Sequence, residues 1–171
     1  VDTDAIIPSR EMKTVSKTGL ADGLFAGWRY NAPGGRDENP DFVLNREPYR
    51  RAEIILAGAN FGCGSSREHA VWALREWGIR SVIAPGFGAI FYGNCVRNGI
   101  VPVVVDEAIV TEVARQIEAD PARARVTVDL EHCRVTAPSG QQHPFTMAPG
   151  DREMLLEGLD PIGVTMKRDD E

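Results

Sequence analysis

The sequence predicts an α/β protein, built on a mainly parallel sheet with helices packed against it. Between residues 54 and 119, short apolar runs of strand length alternate with longer segments whose apolar residues recur at helical spacing. From Arg125 onward the pattern changes to short β-rich runs around a turn, which predicts a hairpin. A β layer added to the α/β unit is therefore expected.

The first third of the chain has the least regular pattern. Val1–Pro8 is predicted to be an irregular loop, where an extended backbone would put Asp2 and Asp4 on one face. On the residues alone, turn capping is the favoured role for these carboxylates. Trp28–Arg51 is polar and rich in Pro, Gly and Asn, so it is predicted to be a long loop, either functional or simply solvated.

The alternating elements follow in order. The predicted strands are Ile54–Ala57, Ser81–Ala84 and Ile100–Val105, and the predicted helices are Arg67–Trp77, Ala89–Asn98 and Glu107–Ala119. The later predictions are hairpin strands at Val126–Leu130 and Arg134–Ala137, a third strand at Phe145–Met147, a helix at Pro149–Glu157 and a last strand at Pro161–Met166.

Composition limits the classes of protein to consider. With 171 residues, 43% of them apolar and 26% charged, the chain suits one globular domain over residues 1–171. A net charge of -6 disfavours nucleic acid as a partner. No apolar run has membrane-spanning length, so no membrane partner is expected, and no signal peptide is visible. The first residue is Val1, so a segment before it is expected to be missing.

The three cysteines, Cys63, Cys95 and Cys133, have no C-x-x-C spacing. We therefore expect no metal or iron–sulfur ligand set within this chain. An odd number of widely spaced cysteines is typical of a reducing cytoplasm. For Cys63, filling a tight turn is favoured over acting as a catalytic thiol.

The most informative stretch is Asn60–Ala70, which joins the first predicted strand to the first predicted helix. Gly62 and Gly64 allow positive φ angles and a close approach of other groups. The spacing of Ser65 and Glu68 is that of a capping box, so Ser65 or the next serine is predicted to cap the helix.

This loop also predicts a site for an anion. The N–H groups at a helix start and the positive end of its dipole favour negative charge. Arg67, in the first predicted turn, adds a planar fork of donors suited to a carboxylate.

Other familiar motifs do not fit the loop. Gly64 stands where a phosphate-binding P-loop has lysine, and Arg67 stands where a dinucleotide fingerprint has its third glycine. A hydrolase-like pair of Ser65 and His69 has to be considered, although a structural role is favoured for a histidine inside a helix. Two further histidines, His132 and His143, are predicted to be turn residues.

Four blocks of the chain, Asn60–Ala70, Val1–Pro8, Asp41–Asn45 and Ile90–Asn94, together resemble the small subunits of bacterial 3-isopropylmalate dehydratases, which belong to the aconitase superfamily. The resemblance covers nearly the whole chain. It implies a three-layer β/β/α swivelling domain with an added hairpin layer. It also implies a cytoplasmic hydro-lyase of leucine biosynthesis, which interconverts 2-isopropylmalate and 3-isopropylmalate through isopropylmaleate.

The resemblance also implies roles for individual residues. Ser65 matches the family's proton-abstracting base, and Arg67 matches the residue that binds a substrate carboxylate. Ser66 and Gly64 complete the substrate-binding set, and Asp4 matches a carboxylate that orients a histidine beside the partner's residues.

The implied partners are a small dicarboxylate substrate and a large subunit. That large subunit would carry a four-iron four-sulfur cluster, with no cofactor bound by this chain.

Three functions stay open at this point. A lyase subunit that needs a second polypeptide is favoured, because four separate blocks match in the right order. A stand-alone anion- or nucleotide-binding domain would bind its ligand alone, and a serine hydrolase would be labelled at Ser65 by an acylating reagent. Within the lyase reading, the substrate could instead be another alkylmalate or a citrate-like acid.

Overall fold

The computed structural model describes residues 1–12, 19–65 and 67–158, and these contain two three-stranded sheets. The parallel sheet has the order β1-β2-β3, with β1 at Ile54–Leu56, β2 at Ser81–Ala84 and β3 at Val101–Val104. The antiparallel sheet has the order β4-β5-β6, with β4 at Thr127–Asp129, β5 at Arg134–Thr136 and β6 at Gln142–Pro144. The helices are α1 at Thr3–Ile6, α2 at Ala26–Arg29, α3 at Glu68–Trp77, α4 at Ala89–Arg97, α5 at Glu107–Ala119 and α6 at Pro149–Glu157.

The parallel sheet separates two hydrophobic cores, since successive side chains of a strand point to opposite faces. Ile55 and Val82 pack in one core, with the apolar faces of α3 and α4. Their chain neighbours Leu56 and Ile83 pack in the other core, with residues of α5 and the antiparallel sheet. The layers are therefore the antiparallel sheet, the parallel sheet and helices α3 and α4, with α5 on the side of the antiparallel sheet.

Parallel pairing puts the carboxyl ends of β1 and β2 at the same edge of the sheet. Two loops leave that edge, residues 57–67 from β1 and residues 85–88 from β2. They lead directly into α3 and α4, so the first turns of both helices lie at this edge. Open α/β sheets commonly bind ligands at such an edge.

The predicted strands and helices between residues 54 and 119 are confirmed to within one residue at each end, and the α6 prediction is also confirmed. The N-terminal prediction was wrong. Val1–Pro8 contains α1, whose first turn is capped by Asp2, with Oδ1 accepting from the N–H of Ala5 at 2.7 Å. Asp2 therefore has the turn-capping role, while Asp4 lies in the helix and does not share an extended face with it.

The third strand of the antiparallel sheet lies three residues earlier than predicted. A tight turn, closed by the N–H of Gly140 on the carbonyl of Ala137 at 2.9 Å, starts the pairing at Gln142. Phe145 follows the strand and is buried in the second core. His143 is thus a strand residue and not a turn residue.

The β4–β5 turn agrees with the prediction, because His132 lies in it and donates its N–H to Asp129 at 3.1 Å. The predicted strand Pro161–Met166 lies outside the described residues.

The long segment Trp28–Arg51 has local structure, with short 3-10 turns at Val43–Asn45 and Tyr49–Arg51. The buried Asn45 donates its side-chain amide to the carbonyls of Arg29 and Asn39, both at 2.8 Å. Together with the contact between the rings of Trp28 and Phe42, these bonds hold the segment together.

Within the described ranges, no helix is both long enough and apolar enough to cross a membrane.

Candidate active site at the carboxyl ends of the parallel strands

The glycine-rich loop between β1 and α3 has a conformation that requires glycine. Gly62 has a φ of 75°, and a Cβ added to it would lie 2.1 Å from Cγ of Phe91. No side chain fits there, because Phe91 is a buried residue of α4. The glycine thus lets the loop lie directly against the start of α4.

The N-terminal segment holds this loop in place. Gly62 donates its N–H to the carbonyl of Val1 at 2.7 Å, and Thr3 donates its N–H to the carbonyl of Cys63 at 3.0 Å. The Thr3 hydroxyl donates to the main-chain carbonyl of Ser65 at 2.9 Å. Thr3 is only 3% exposed, so it fixes the backbone of Ser65 from the protein interior.

A cavity of about 270 Å³ lies between this loop and the first turn of α4. Its lining residues are Thr3, Gly62, Cys63, Gly64, Ser65, Arg67, Gly88, Ala89, Ile90, Phe91 and Asn94. The N–H groups of a first helical turn have no partner within the helix and carry the positive end of the dipole. Because α3 and α4 both begin beside the cavity, it favours a negatively charged occupant.

The prediction that Ser65 caps α3 was wrong. The residue at the N-cap is Arg67, and it makes no side-chain capping bond. Glu68 does not close a capping box, because its Oε1 accepts from Nδ2 of Asn98 at 3.0 Å. The bond from Thr3 keeps Ser65 in the loop, so the helix begins three residues after it.

The hydroxyl of Ser65 is therefore not used by the described part of the fold. Ser65 is exposed at the cavity, and its Oγ has no hydrogen-bond partner among residues 1–12, 19–65 and 67–158. Ser66, predicted as an alternative cap and a substrate contact, lies outside the described residues.

Arg67 extends across the cavity edge to α1. Its Nη1 forms an ion pair with Oδ1 of Asp4 and also donates to the carbonyl of Ile7 at 3.4 Å. The Arg67 side chain is 21% exposed, against 64% for that of Asp4. Toward the rest of the described chain, Nε and Nη2 of Arg67 donate no hydrogen bond. Asp4 and Ile7 thus hold the guanidinium at Nη1, and the edge formed by Nε and Nη2 presents two parallel N–H donors.

Asp4 and Arg67 were singled out separately, and the structure brings them together. In the described chain, the ion-pair partner of Asp4 is Arg67, whereas the resemblance implied a histidine.

His69 is not placed as a base for Ser65. Its ring lies 4.8 Å from the ring of Trp72, one turn further along the same face of α3, and no hydrogen bond joins it to the serine. This packing is a structural role for His69, and it gives the hydrolase reading no support.

The cysteines have separate environments. Cys63 lines the cavity, whereas Cys95 is fully buried in α4, where desolvation raises the pKa of its thiol. Among the described residues, no group of three or more His, Cys, Asp or Glu side chains is arranged to hold a metal ion.

Sequence reasoning assigned no role to two features of the site, although their residues lie in the blocks Val1–Pro8 and Ile90–Asn94. The first is Thr3, whose buried hydroxyl is visible only once α1 is folded against the loop. The second is the wall formed by α4, where Ile90 and Asn94 line the cavity. Their spacing of four residues could have indicated a shared helical face.

Comparisons with known proteins agree on one family. The family model described as the Aconitase C-terminal domain matches residues 1–108, and the one described as LeuD_N matches residues 112–149. A 3-isopropylmalate dehydratase small subunit from Cupriavidus necator is 61% identical over 167 residues, which cover 98% of this chain and 80% of that protein. The protein of the same name from Gluconobacter oxydans is 53% identical over 174 residues, covering 100% and 81% respectively.

A solved structure extends the similarity to three dimensions. The crystal structure of 3-isopropylmalate dehydratase (leuD) from Methanocaldococcus jannaschii is similar with a TM-score of 0.68 and 31% sequence identity. The match covers 99% of this chain and 88% of that one.

Proposed function

Because this chain belongs to the family of 3-isopropylmalate dehydratase small subunits, with the aconitase-type C-terminal domain, we propose that its cavity is part of the active site of that enzyme. The enzyme is a heteromeric hydro-lyase of leucine biosynthesis. It interconverts 2-isopropylmalate and 3-isopropylmalate by removing water and adding it back. The observation that carries the proposal is the convergence of two helix starts and an open arginine edge beside the unused hydroxyl of Ser65.

In this proposal Ser65 is the base. Dehydration requires removal of a proton from the carbon beside a carboxylate. The Oγ of Ser65, in its alkoxide form, accepts that proton. An alkoxide is unfavourable in water, but positive helix ends and a nearby guanidinium stabilise it. In the rehydration direction the protonated serine returns the proton to the opposite carbon of the double bond, so the residue ends each turnover unchanged.

Arg67 is proposed to bind a substrate carboxylate through Nε and Nη2. The ion pair with Asp4 supports this role, because it occupies Nη1 and leaves Nε and Nη2 available to a ligand. Two parallel N–H donors match the two oxygens of a carboxylate, a contact that lysine cannot make. Asp4 then orients Arg67 within this chain, and it orients a histidine of the large subunit in the assembled enzyme.

Gly64 and Ser66 complete the proposed substrate-binding set. Gly64 has a φ of 94° and lines the cavity, so the loop can turn past the substrate without a side chain in the way. Ser66 is proposed to add a hydrogen bond from its hydroxyl.

The remaining chemistry is assigned to a large subunit. A four-iron four-sulfur cluster held there would supply a Lewis acid for the departing hydroxyl. This division suits a chain whose described residues offer hydrogen-bond donors and a base but no cluster ligands. We further propose that residues 1–171 act as one swivelling domain and that the complex works in the cytoplasm.

The direct test is to purify this chain together with a candidate large subunit and to assay the complex on 3-isopropylmalate under anaerobic conditions. We expect the isolated chain to be colourless and inactive, and activity to appear only in the complex. Stoichiometric iron in the isolated chain would contradict the assignment of the cluster. Turnover of another alkylmalate, with none of 3-isopropylmalate, would contradict the assignment of the substrate.

A further inference from the structure

One buried polar side chain at the cavity has no role in the proposed reaction so far. Asn94 lies on α4, four residues after Ile90, and side chains at this spacing share one face of a helix. Both residues line the cavity, but Asn94 is only 4% exposed whereas Ile90 is 56% exposed. Asn94 is therefore at the inner end of this wall and Ile90 at its mouth.

The orientation of the Asn94 amide follows from its contact with Arg97. The Nη2 of Arg97 donates to the side chain of Asn94. Because a guanidinium can only donate hydrogen bonds, the atom that it contacts must be the amide oxygen Oδ1. The amide nitrogen Nδ2 is therefore on the other branch of the side chain, and it donates to no residue in the described part of the chain.

A second asparagine on the same helix differs from Asn94, because its side-chain nitrogen donates two hydrogen bonds. Asn98, four residues after Asn94, donates from Nδ2 to Oε1 of Glu68 at 3.0 Å and to the carbonyl of Asn94 at 2.8 Å. It joins the start of α3 to α4 and is 6% exposed. The two asparagines are thus similarly buried, but of the two only Asn94 has an Nδ2 without an acceptor among the described residues.

We propose that Asn94 is a substrate-binding residue whose Nδ2 donates a hydrogen bond to a carboxylate of the dicarboxylate substrate. Since Nδ2 has no acceptor among the described residues and Asn94 lines the cavity, this group is available to donate to a ligand there. The N–H groups of the first turn of α4 favour a negatively charged acceptor nearby. Arg97 is then a positioning residue, since it holds Oδ1 and so turns Nδ2 away from itself.

This inference rests on the proposed function and extends it by one contact. Arg67 binds one carboxylate from the loop side of the cavity, and Asn94 donates a hydrogen bond to a carboxylate oxygen from the α4 side. Donors on opposite walls orient the substrate between them, so the proton to be removed faces a fixed position.

The test uses the reconstituted complex and the substitutions Asn94→Asp and Asn94→Ala, with Asn98→Ala as the matched control. Asn94→Asp keeps the shape of the side chain but replaces a donor with a negative charge. Steady-state kinetics on 3-isopropylmalate give KM and kcat. Calorimetric binding of malate, which has the same two carboxylates without the alkyl group, gives a Kd that does not depend on turnover. Thermal melting of each subunit variant reports on folding.

We expect Asn94→Asp to raise KM and the malate Kd at least tenfold, and Asn94→Ala to raise both by a smaller factor. Both variants should keep a melting temperature near that of the wild type. Asn98→Ala should instead lower the melting temperature and leave KM and Kd within twofold.

The proposal is overturned if both Asn94 variants bind malate within twofold of the wild type. It is also overturned if their loss of affinity only parallels a loss of thermal stability equal to that of Asn98→Ala. A wild-type complex that binds malate but does not turn over 3-isopropylmalate would refute the substrate assignment, while the malate titrations would still decide the role of Asn94.

Discussion

The substitution Ser65→Ala separates a structural role of this serine from a catalytic one. Its Oγ has no hydrogen-bond partner within the described ranges, and it does not cap α3. The bond that fixes this position is donated by the Thr3 hydroxyl to the main-chain carbonyl, which alanine keeps. The variant therefore removes one exposed hydroxyl and no hydrogen bond to the described residues.

The expected magnitudes follow from these contacts. Loss of an exposed hydroxyl without a partner should change the free energy of unfolding by less than about 0.5 kcal/mol. A side chain that transfers a proton in the rate-limiting step contributes roughly a hundredfold to ten-thousandfold to the rate. At about 1.36 kcal/mol for each tenfold change, this loss corresponds to roughly 2.7–5.5 kcal/mol in the activation free energy.

The assay measures kcat and KM of the reconstituted complex, with a thermal melt of the isolated subunit. Ser139→Ala is the control, because Ser139 is an exposed serine in the turn between β5 and β6. We expect kcat to fall only in Ser65→Ala, with KM within a few-fold because Arg67 still holds a carboxylate. If Ser65→Ala kept more than about a tenth of the wild-type turnover, Ser65 would not be the base.

Two further variants test the ligand edge of Arg67 and the tether made by Glu76. Arg67→Lys keeps the positive charge but loses the two-pronged contact, so binding should weaken by about 1.5–3 kcal/mol, seen as a raised KM; an unchanged KM would make Arg67 a structural ion-pair partner only. Burial raises the pKa of Glu76, but hydrogen bonds from the N–H groups of Gly19, Leu20 and Ala21 outweigh that effect, so its folded-state pKa is lowered. The stability from Glu76 is thus present above its unfolded-state pKa, near 4.3, and is lost as pH falls through the folded-state value. Glu76→Gln should therefore lower the free energy of unfolding in urea by about 1 kcal/mol at pH 7 and by less in acid, and an equal loss at both pH values would contradict the role of its charge.

The loop at the site was recognisable from the sequence, but its internal geometry was not. Gly62, Gly64, Ser65 and Arg67 form a continuous motif, so their types and spacing indicated an anion site directly. The capping box failed because its prediction considers only residues close in sequence. A hydroxyl more than sixty residues away holds the Ser65 carbonyl, and Glu68 is bonded to a different helix.

The contacts of the N-terminal segment could likewise not be predicted from residues close in sequence. Asp4 and Arg67 were each selected by motif, but their ion pair depends on α1 packing beside the loop that leads into α3. Likewise, the antiparallel sheet was predicted, and its third strand was misplaced by three residues, because the tight turn at Gly140 set the pairing before the apolar run began.

By itself, the sequence determined the order of strands and helices, the addition of a β layer to the α/β unit and the chemical character of the loop at Asn60–Arg67. These follow from local patterns, since a period of two or of 3.6 residues decides which side chains can be buried together. The tertiary structure alone decided that Thr3 anchors Ser65, that Asp4 holds one edge of Arg67 and that Asn94 faces the same cavity. Each of those contacts joins residues distant in the chain, and no local pattern encodes a distance between two elements before they pack.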